Sequence, residues 1–427
     1  MSLSGPLRRR DADSPASASP DADASASSTG RFAALEVPAF RNYFLATVVS
    51  NVGSWMQIVA QGWLVIELTN SPFYLGLVGL TRAVPMIVFS LIGGVIADRF
   101  DRRRILIVTQ IIAAISAGLL GVLVITDLVR IWHVLLIAFV SSIFFAVDNP
   151  TRQALVPDLV GRDRLTSAIG LNSAAWNAAA VVGPSIAGIL IAAVSIAGAF
   201  LLNAVSYLAV IGAVLTMPAL TKQSGARRSM LAQLGDGLAY IRSRRVVWGI
   251  LLLIAIPSIL ARPYIQMMPV FARDILGLGA TGYGVLMAAS GVGALIGALI
   301  TASLGAFERR GWLLLGNTAV LGLSVVAFAW SHWLIPSLIL VVIVGGTSTL
   351  MMSLANVILQ GLVTPEVRGR VMSVYSLIAG GFMPLGSMLM GSLGSAIGVP
   401  LAVGIGGAIT LATAFLALQS LGEIRDT

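Results

Sequence analysis

Cysteine is absent from the 427 residues, which excludes disulfides, thiolate metal sites and a cysteine nucleophile. Histidine occurs only at His133 and His332. Two histidines so far apart supply neither a metal-ligand spacing nor a catalytic arrangement, so no enzyme, metal or cofactor is expected. No phosphate-cradling Gly-x-x-x-x-Gly-Lys-Ser/Thr stretch occurs, which argues against ATP-driven pumping within this chain. Charge is also scarce. Asp, Glu, Lys and Arg make up 11% of the chain, against about a quarter in soluble domains.

Apolar residues make up 57% of the chain. A water-soluble protein of this length cannot hide so much apolar surface, and the composition points to a polytopic membrane protein embedded in a lipid bilayer. Residues 1–39 differ. "DADSPASASPDADASASSTG" has almost nothing to bury and reads as a disordered tail, and it lacks the apolar run of a signal peptide. Membrane-length apolar segments follow near 40–66, 73–97, 105–126, 131–149, 165–192, 196–216, 246–272, 281–304, 312–330, 335–356, 370–396 and 400–420. They run near twenty residues without period-two alternation, so helices are expected.

The net charge is +9. In a soluble protein that would suggest nucleic acid, but the positions of the charges give another cause. Of 27 basic residues, 23 fall on one set of alternating loops and the tails; Arg130 and Arg273 fall on the other set, and Arg82 and Arg262 lie within spans. Such asymmetry is the positive-inside pattern of the cytoplasmic membrane. Both termini are expected in the cytoplasm, and no nucleic-acid partner is needed.

The longest polar break, 217–245, divides the spans six and six. The expected organisation is therefore a tail (1–39), an N-terminal bundle (40–216), a cytoplasmic middle loop (217–245), a C-terminal bundle (246–420) and a short cytoplasmic tail (421–427). The halves echo each other. "LVPDLVGRDRLTSA" (155–168) follows span four and "LVTPEVRGRVMSV" (362–374) follows span ten, each leading into a span that contains a proline, Pro184 or Pro384. Internal duplication of this kind marks transporters whose substrate site lies between the halves.

"GGVIADRFDRRRI" (93–105) crowds six charges between two apolar spans. It resembles the loop between spans two and three of the major facilitator superfamily, with Gly94, Asp98, Arg99, Arg102 and Arg103 on the family pattern and Asp101 where the pattern has glycine. "GSWMQIVAQGWLVIELTNSP" (53–72), "FAVDNPTRQALVPDLV" (145–160) and "MPVFARDILGLGATGYG" (268–284) resemble one branch, which includes the enterobactin exporter and related bacterial efflux proteins. "VVGPSIAG" (181–188), with Gly183 and Pro184, resembles the fifth-span signature of antiporter-type members. The resemblance implies twelve transmembrane helices in two pseudo-symmetric six-helix bundles and a monomer. It also implies secondary export by alternating access, coupled to an ion, a proton by analogy.

Sidedness accounts for the arginines of the loop but not for Asp98, since acidic residues contribute little to it. The resemblance implies that Asp98 meets the start of helix eleven near 369–373, that Asp148 pairs with Arg103, and that the cluster latches the cytoplasmic side. Gly183 and Pro184 are implied in limiting leak. Asp98 and Asp148 are the candidate proton carriers.

Polar residues within spans are the candidate substrate contacts: Gln57 and Gln61, four apart on one helix face, with Trp63 nearby; Asn172, Asn177, Gln266, Asn356 and Gln360; and Arg82 and Arg262. Each amide serves equally as an interhelical hydrogen bond. An arginine at such depth costs roughly 2.5–3.5 kcal/mol on insertion scales, so it either snorkels or faces a cavity, where the two would form an anion-binding pair. A siderophore suits the arginines and a hydrophobic drug suits the aromatic and amide lining. A receptor or scaffold that keeps the fold without transporting is the alternative.

Overall fold

A computed structural model describes residues 30, 32–217, 241–242, 244–304 and 309–420. The side chains of Ser90, Leu91, Asp98, Glu366 and Ser420 lie outside that description. So do almost all of the N-terminal tail and the middle loop, and the C-terminal tail. The described chain is helical, with no strand among the described residues.

Among the described residues twelve rods follow one another: α1 (Pro38–Thr69), α2 (Pro72–Arg99), α3 (Arg102–Ile125), α4 (Ile131–Val160), α5 (Leu165–Ala193) and α6 (Ile196–Leu215), then, in the second half, α7 to α12. Rod α7 runs Arg245–Leu260, breaks, and resumes as Tyr264–Val270 and a π turn, Phe271–Ile275. The next three are α8 (Gly279–Ser303), α9 (Arg310–Ala329) and α10 (Leu334–Leu362). Rod α11 runs Pro365–Ser376, a π turn Leu377–Gly381, then Phe382–Ile397; α12 is Val399–Ser420. Among the described residues, eleven rods are long and apolar enough to cross a membrane. The twelfth, α1, has 32 residues but carries Arg41, Asn42, Asn51, Gln57, Gln61 and Glu67 along its length.

Local chemistry sets the ends. Proline occupies the first helical position of α1, α2 and α11, where a missing N–H costs nothing. Asp101 caps α3 by accepting from the Arg103 N–H at 2.9 Å. This is a function for the aspartate that stands at the family's glycine. Gly398, at φ 89, turns the chain between α11 and α12 in a conformation that a side chain would strain. Helices α4 and α10 run past the expected apolar limits, and α11 begins before them, because a helix continues through polar turns that hydropathy does not count. Part of the tail expected to be disordered is structured. Ala33 and Ala34 are buried, and the Ala34 N–H donates to Ser167 Oγ at 3.3 Å.

The packing repeats between halves. In the first, α3 packs on α6 and α4, α2 on α4, and α1 on α6 and α5. In the second, α9 packs on α12 and α10, α8 on α10, and α7 on α12 and α11. The halves join through α5 against α8 and α2 against α11, two seams related by the same duplication. The interior of the molecule thus lies between α1, α2, α4 and α5 on one side and α7, α8, α10 and α11 on the other.

Candidate functional site

One end of the bundle carries Arg99, Arg102, Arg103, Arg104, Arg162, Arg164, Arg309, Arg310 and Arg368; the opposite end carries Arg130 and Arg273. The seams are tight toward the arginine-poor end. A Cβ on Gly284 would stand 2.5 Å from the Pro184 carbonyl and 2.7 Å from Gly188 Cα, so only glycine lets α8 approach α5 there. A Cβ on Gly76 would meet the Ser387 carbonyl at 2.4 Å, and one on Gly391 the Pro72 carbonyl at 2.7 Å. Thr281 donates to the Gly188 carbonyl at 3.3 Å, and the Phe73 N–H to Ser395 Oγ at 3.0 Å. Trp63 stacks on Tyr283 with centroids 6.1 Å apart and donates to Glu67. Arg273 donates to the Ile66 carbonyl at 3.0 Å and to Asn70 Oδ1, binding the last turn of α1 to α7.

The other end is looser. Gly94, Gly170, Gly361 and Gly369, in the arginine-rich parts of α2, α5, α10 and α11, have open space where a side chain would stand. Rod α2 packs along Phe382–Ile397 of α11 and makes at most marginal contact with Pro365–Ser376.

Between these ends sits a polar interior. On the first half, Asn203 of α6 is fully buried; it donates to Gln57 of α1 and, at 3.2 Å, to the Tyr207 hydroxyl. Ser54 lies 3.5 Å from that hydroxyl. Tyr207 is the electrostatic neighbour of Arg82. Arg82 is itself exposed and shares a helix face with Gly79, three residues earlier, which abuts Ser387 of α11 in the other half.

On the second half, Arg262 sits at the break of α7, between Pro257 and Pro263. Proline disfavours helix for the residue before it, which places Arg262 where the rod is interrupted. Its Nη1 donates at 3.1 Å to the Ala379 carbonyl, in the π turn of α11, and its electrostatic neighbours are Tyr375 and Tyr264. Tyr375 donates to the Met352 carbonyl at 2.9 Å, Tyr264 meets Ser290 Oγ at 3.0 Å, and Gln360 donates to Asn356 at 2.6 Å. Interrupted helices at mid-depth are where repeat-built transporters hold their substrates.

The two arginines lie at similar depth. Pro263, next to Arg262, would touch a Cβ on Gly386 at 2.7 Å; Ser387 Cβ stands 3.2 Å from one on Gly79; and Arg82 follows Gly79 by three residues, about 4.5 Å of axial rise.

Several expected site residues have other surroundings. Trp63 belongs to the closed end, with Tyr283 and Glu67, and Gln61 is buried. Asn177 donates to its own helix at Ser173, 2.8 Å away. Asn172 and Gln266 are half-buried. Asn203, Tyr207, Tyr264 and Tyr375 were not singled out from sequence, although polar residues inside spans were the signal that picked Gln57. Trp55 and Trp176 also pair, at 5.6 Å.

The charged loop is wired differently from the expectation. Asp148 does not pair with Arg103. It accepts from Thr109 Oγ1 at 2.7 Å, Gln110 Nε2 at 2.9 Å and Arg152 Nε at 2.5 Å, and Arg152 reaches on to the Tyr43 hydroxyl at 3.3 Å. Arg152 lies one turn along α4 from Asp148, so no inter-loop reach is needed. Arg103 instead donates to the carbonyls of Leu215 and Met217 (3.0 Å to the latter), at the end of α6, and Arg102 pairs with Asp158. The expected contact of Asp98 with α11 lies outside the described side chains. Gly183 is a close-approach position, its absent Cβ 2.6 Å from that of Trp55 and 2.8 Å from the Val52 carbonyl.

The sequence profile of the transmembrane secretion effector family, within the major facilitator superfamily, matches residues 29–425. The chain is 25% identical over 363 residues to the staphyloferrin A transporter of Staphylococcus aureus, covering 84% of this chain and 90% of that one. It is 27% identical to the multidrug efflux pump Tap of Mycolicibacterium fortuitum (83% and 88% covered). It is 26% identical to the enterobactin exporter EntS of Salmonella typhi (91% and 93%). Its fold is shared with a bacterial homologue of the human lysosomal transporter Spinster in an inward-facing, unoccupied conformation. The TM-score there is 0.70 at 14% identity, with 91% and 98% covered.

Proposed function

Because the chain belongs to the transmembrane secretion effector family, a family of multi-pass transporters and not of enzymes, we propose that it is a secondary active exporter. In this reading it moves a small amphipathic molecule, a siderophore or a drug, outward across the cytoplasmic membrane. The relatives named for siderophores and for drug efflux support both cargo classes.

The observation that carries the reading is the asymmetry of the seams. Glycine-mediated contacts draw the halves together at the arginine-poor end, while α2 and α11 separate toward the arginine-rich end. The arginine-rich end is the cytoplasmic one by the positive-inside rule, with both termini there. The structure is then the inward-facing member of an alternating-access pair, with Arg82, Gln57, Arg262, Asn356 and Gln360 open to cytoplasmic cargo. Export requires the outer contacts to break while Asp98 and the arginines of its loop engage α11. Proton antiport supplies the drive.

Comparative mass spectrometry of culture medium tests this. A parent strain and a strain lacking the protein are grown with iron replete and with iron limiting. A metabolite missing from the medium and accumulating inside the deletion strain supports export; its restriction to iron limitation selects the siderophore class. Equal internal and external metabolites in both strains and equal drug retention would support a receptor or scaffold instead.

A further inference from the structure

We propose that the interior site takes a small organic dianion, its two charged ends held by one arginine from each half, Arg82 and Arg262. This rests on the exporter reading and gives its cargo a chemical class.

The argument begins with charge balance. Among the described residues, the electrostatic neighbours of Arg82 and Arg262 are tyrosines, Tyr207 for the first and Tyr375 and Tyr264 for the second. The acidic residues of the described chain lie elsewhere. Glu67, Asp127 and Asp274 are near the arginine-poor end; Asp101, Asp158 and Asp163 are on arginine-rich turns; Glu36 pairs with Arg164, Asp148 is committed to Arg152, Asp98 lies in the last turn of α2, and Glu366 lies in the first turn of α11. Two cations within spans without a carboxylate are an unfavourable arrangement that membrane proteins keep for a ligand or a pathway.

The donors suit an oxyanion. A guanidinium has five N–H groups, enough for a bidentate carboxylate and a structural bond together. Arg262 commits Nη1 to the Ala379 carbonyl at 3.1 Å, which fixes the group while other donors remain. Beside Arg82, the Tyr207 hydroxyl of α6 accepts from Asn203 and keeps its own hydrogen for the same charge; beside Arg262, Tyr375 of α11 spends its hydrogen on the Met352 carbonyl and adds no second donor. The pair straddles the boundary along which the halves move, at one depth. A monoanion satisfies one arginine; a dianion of matched length satisfies both and makes its binding sensitive to the relative position of the halves.

The test uses the purified full chain in lipid nanodiscs and a ruler of probes: straight-chain dicarboxylates from succinate to azelate, each beside its dimethyl ester, titrated by calorimetry. Affinity should peak at one chain length. It should fall at least tenfold for the ester, and at least tenfold for the diacid in Arg82→Gln and in Arg262→Gln, with partial rescue by Arg→Lys at either position. Unchanged melting temperature in the Gln variants separates site loss from misfolding. Diesters binding as well as diacids, or Gln variants that fold normally and hold the diacid within twofold, would overturn the proposal. Export in the deletion comparison together with diester-equal binding would remove the dianion and leave the exporter. Length-selective diacid binding with no exported metabolite would remove the exporter and leave the site.

Discussion

Arg273 donates to the carbonyl of Ile66 at 3.0 Å, tying the π turn of α7 to the last turn of α1 across the two halves of the molecule. The carbonyl belongs to the C-terminal end of a helix, where a cation is favoured by the helix dipole. Asn70, in the left-handed conformation that ends α1 (φ 51), gives the same guanidinium a second acceptor, and Asp274 pairs with it at 2.5 Å.

Replacing Arg273 with Ala removes this tie and should favour opening at the arginine-poor end. The chain has no cysteine, so a single Gln61→Cys reports without background. Labelling of that buried position by an impermeant maleimide from outside should rise several-fold in the Arg273→Ala protein. Equal labelling with and without Arg273 would make the contact incidental to closure.

A bulkier residue at Gly284 should act in the same direction. A Cβ there meets the Pro184 carbonyl at 2.5 Å, and backbone does not yield as a flexible side chain does. Gly284→Val should destabilise the closed seam by about 1–3 kcal/mol, the range for overpacking. Thermal unfolding should show it, with reduced export. An unchanged melting temperature would mean that the seam separates freely at this depth.

The rewired charge cluster makes a prediction about pairs. Asp148 and Arg152 have side chains 6% and 22% exposed. Breaking one partner of such a buried pair costs about 3–5 kcal/mol, because the other charge is left without compensation. A double-mutant cycle of Asp148→Asn with Arg152→Gln should give a coupling above about 0.5 kcal/mol; the cycle with Arg103→Gln should fall within the additive range, about 0.3–0.5 kcal/mol. Coupling to Arg103 in place of Arg152 would restore the arrangement that the family resemblance implied.

The same cluster bears on movement. Replacing Asp98 with Asn should leave insertion normal, slow export, and shift the population toward the form open at the arginine-rich end. Export at the parent rate in a normally inserted Asp98→Asn protein would remove the latch.

The helices were legible because a bilayer forces long apolar runs, and their ends were less so because α4 continues through Pro150 and Pro157 to Val160. Duplication showed at the turns around 155–168 and 362–374, where the packing later repeats. Arg82 and Arg262 stood out as charges inside spans. The partners did not. Tyr207 meets Gln57 through Asn203, 146 residues away from Gln57 in sequence, and Arg262 meets a backbone carbonyl exposed by a π turn that no residue pattern announces. Trp63 was grouped with Gln57 by proximity along one helix, yet its ring faces Tyr283 of the other half, which spacing within α1 cannot express. Asp148 takes Arg152, four residues along its own helix, in this structure, where the resemblance implies an arginine of the neighbouring loop.

The most direct measurement is a pair of distances across the halves, from spin labels in the cysteine-free chain. One pair, at Gly170 and Gly369, occupies open positions toward the arginine-rich end. The other, at Leu128 and Trp333, occupies exposed positions toward the opposite end. Through a transport cycle driven by cargo and a proton gradient, the first distance should shorten as the second lengthens. Two distances that stay fixed while cargo is exported would contradict alternating access between these halves.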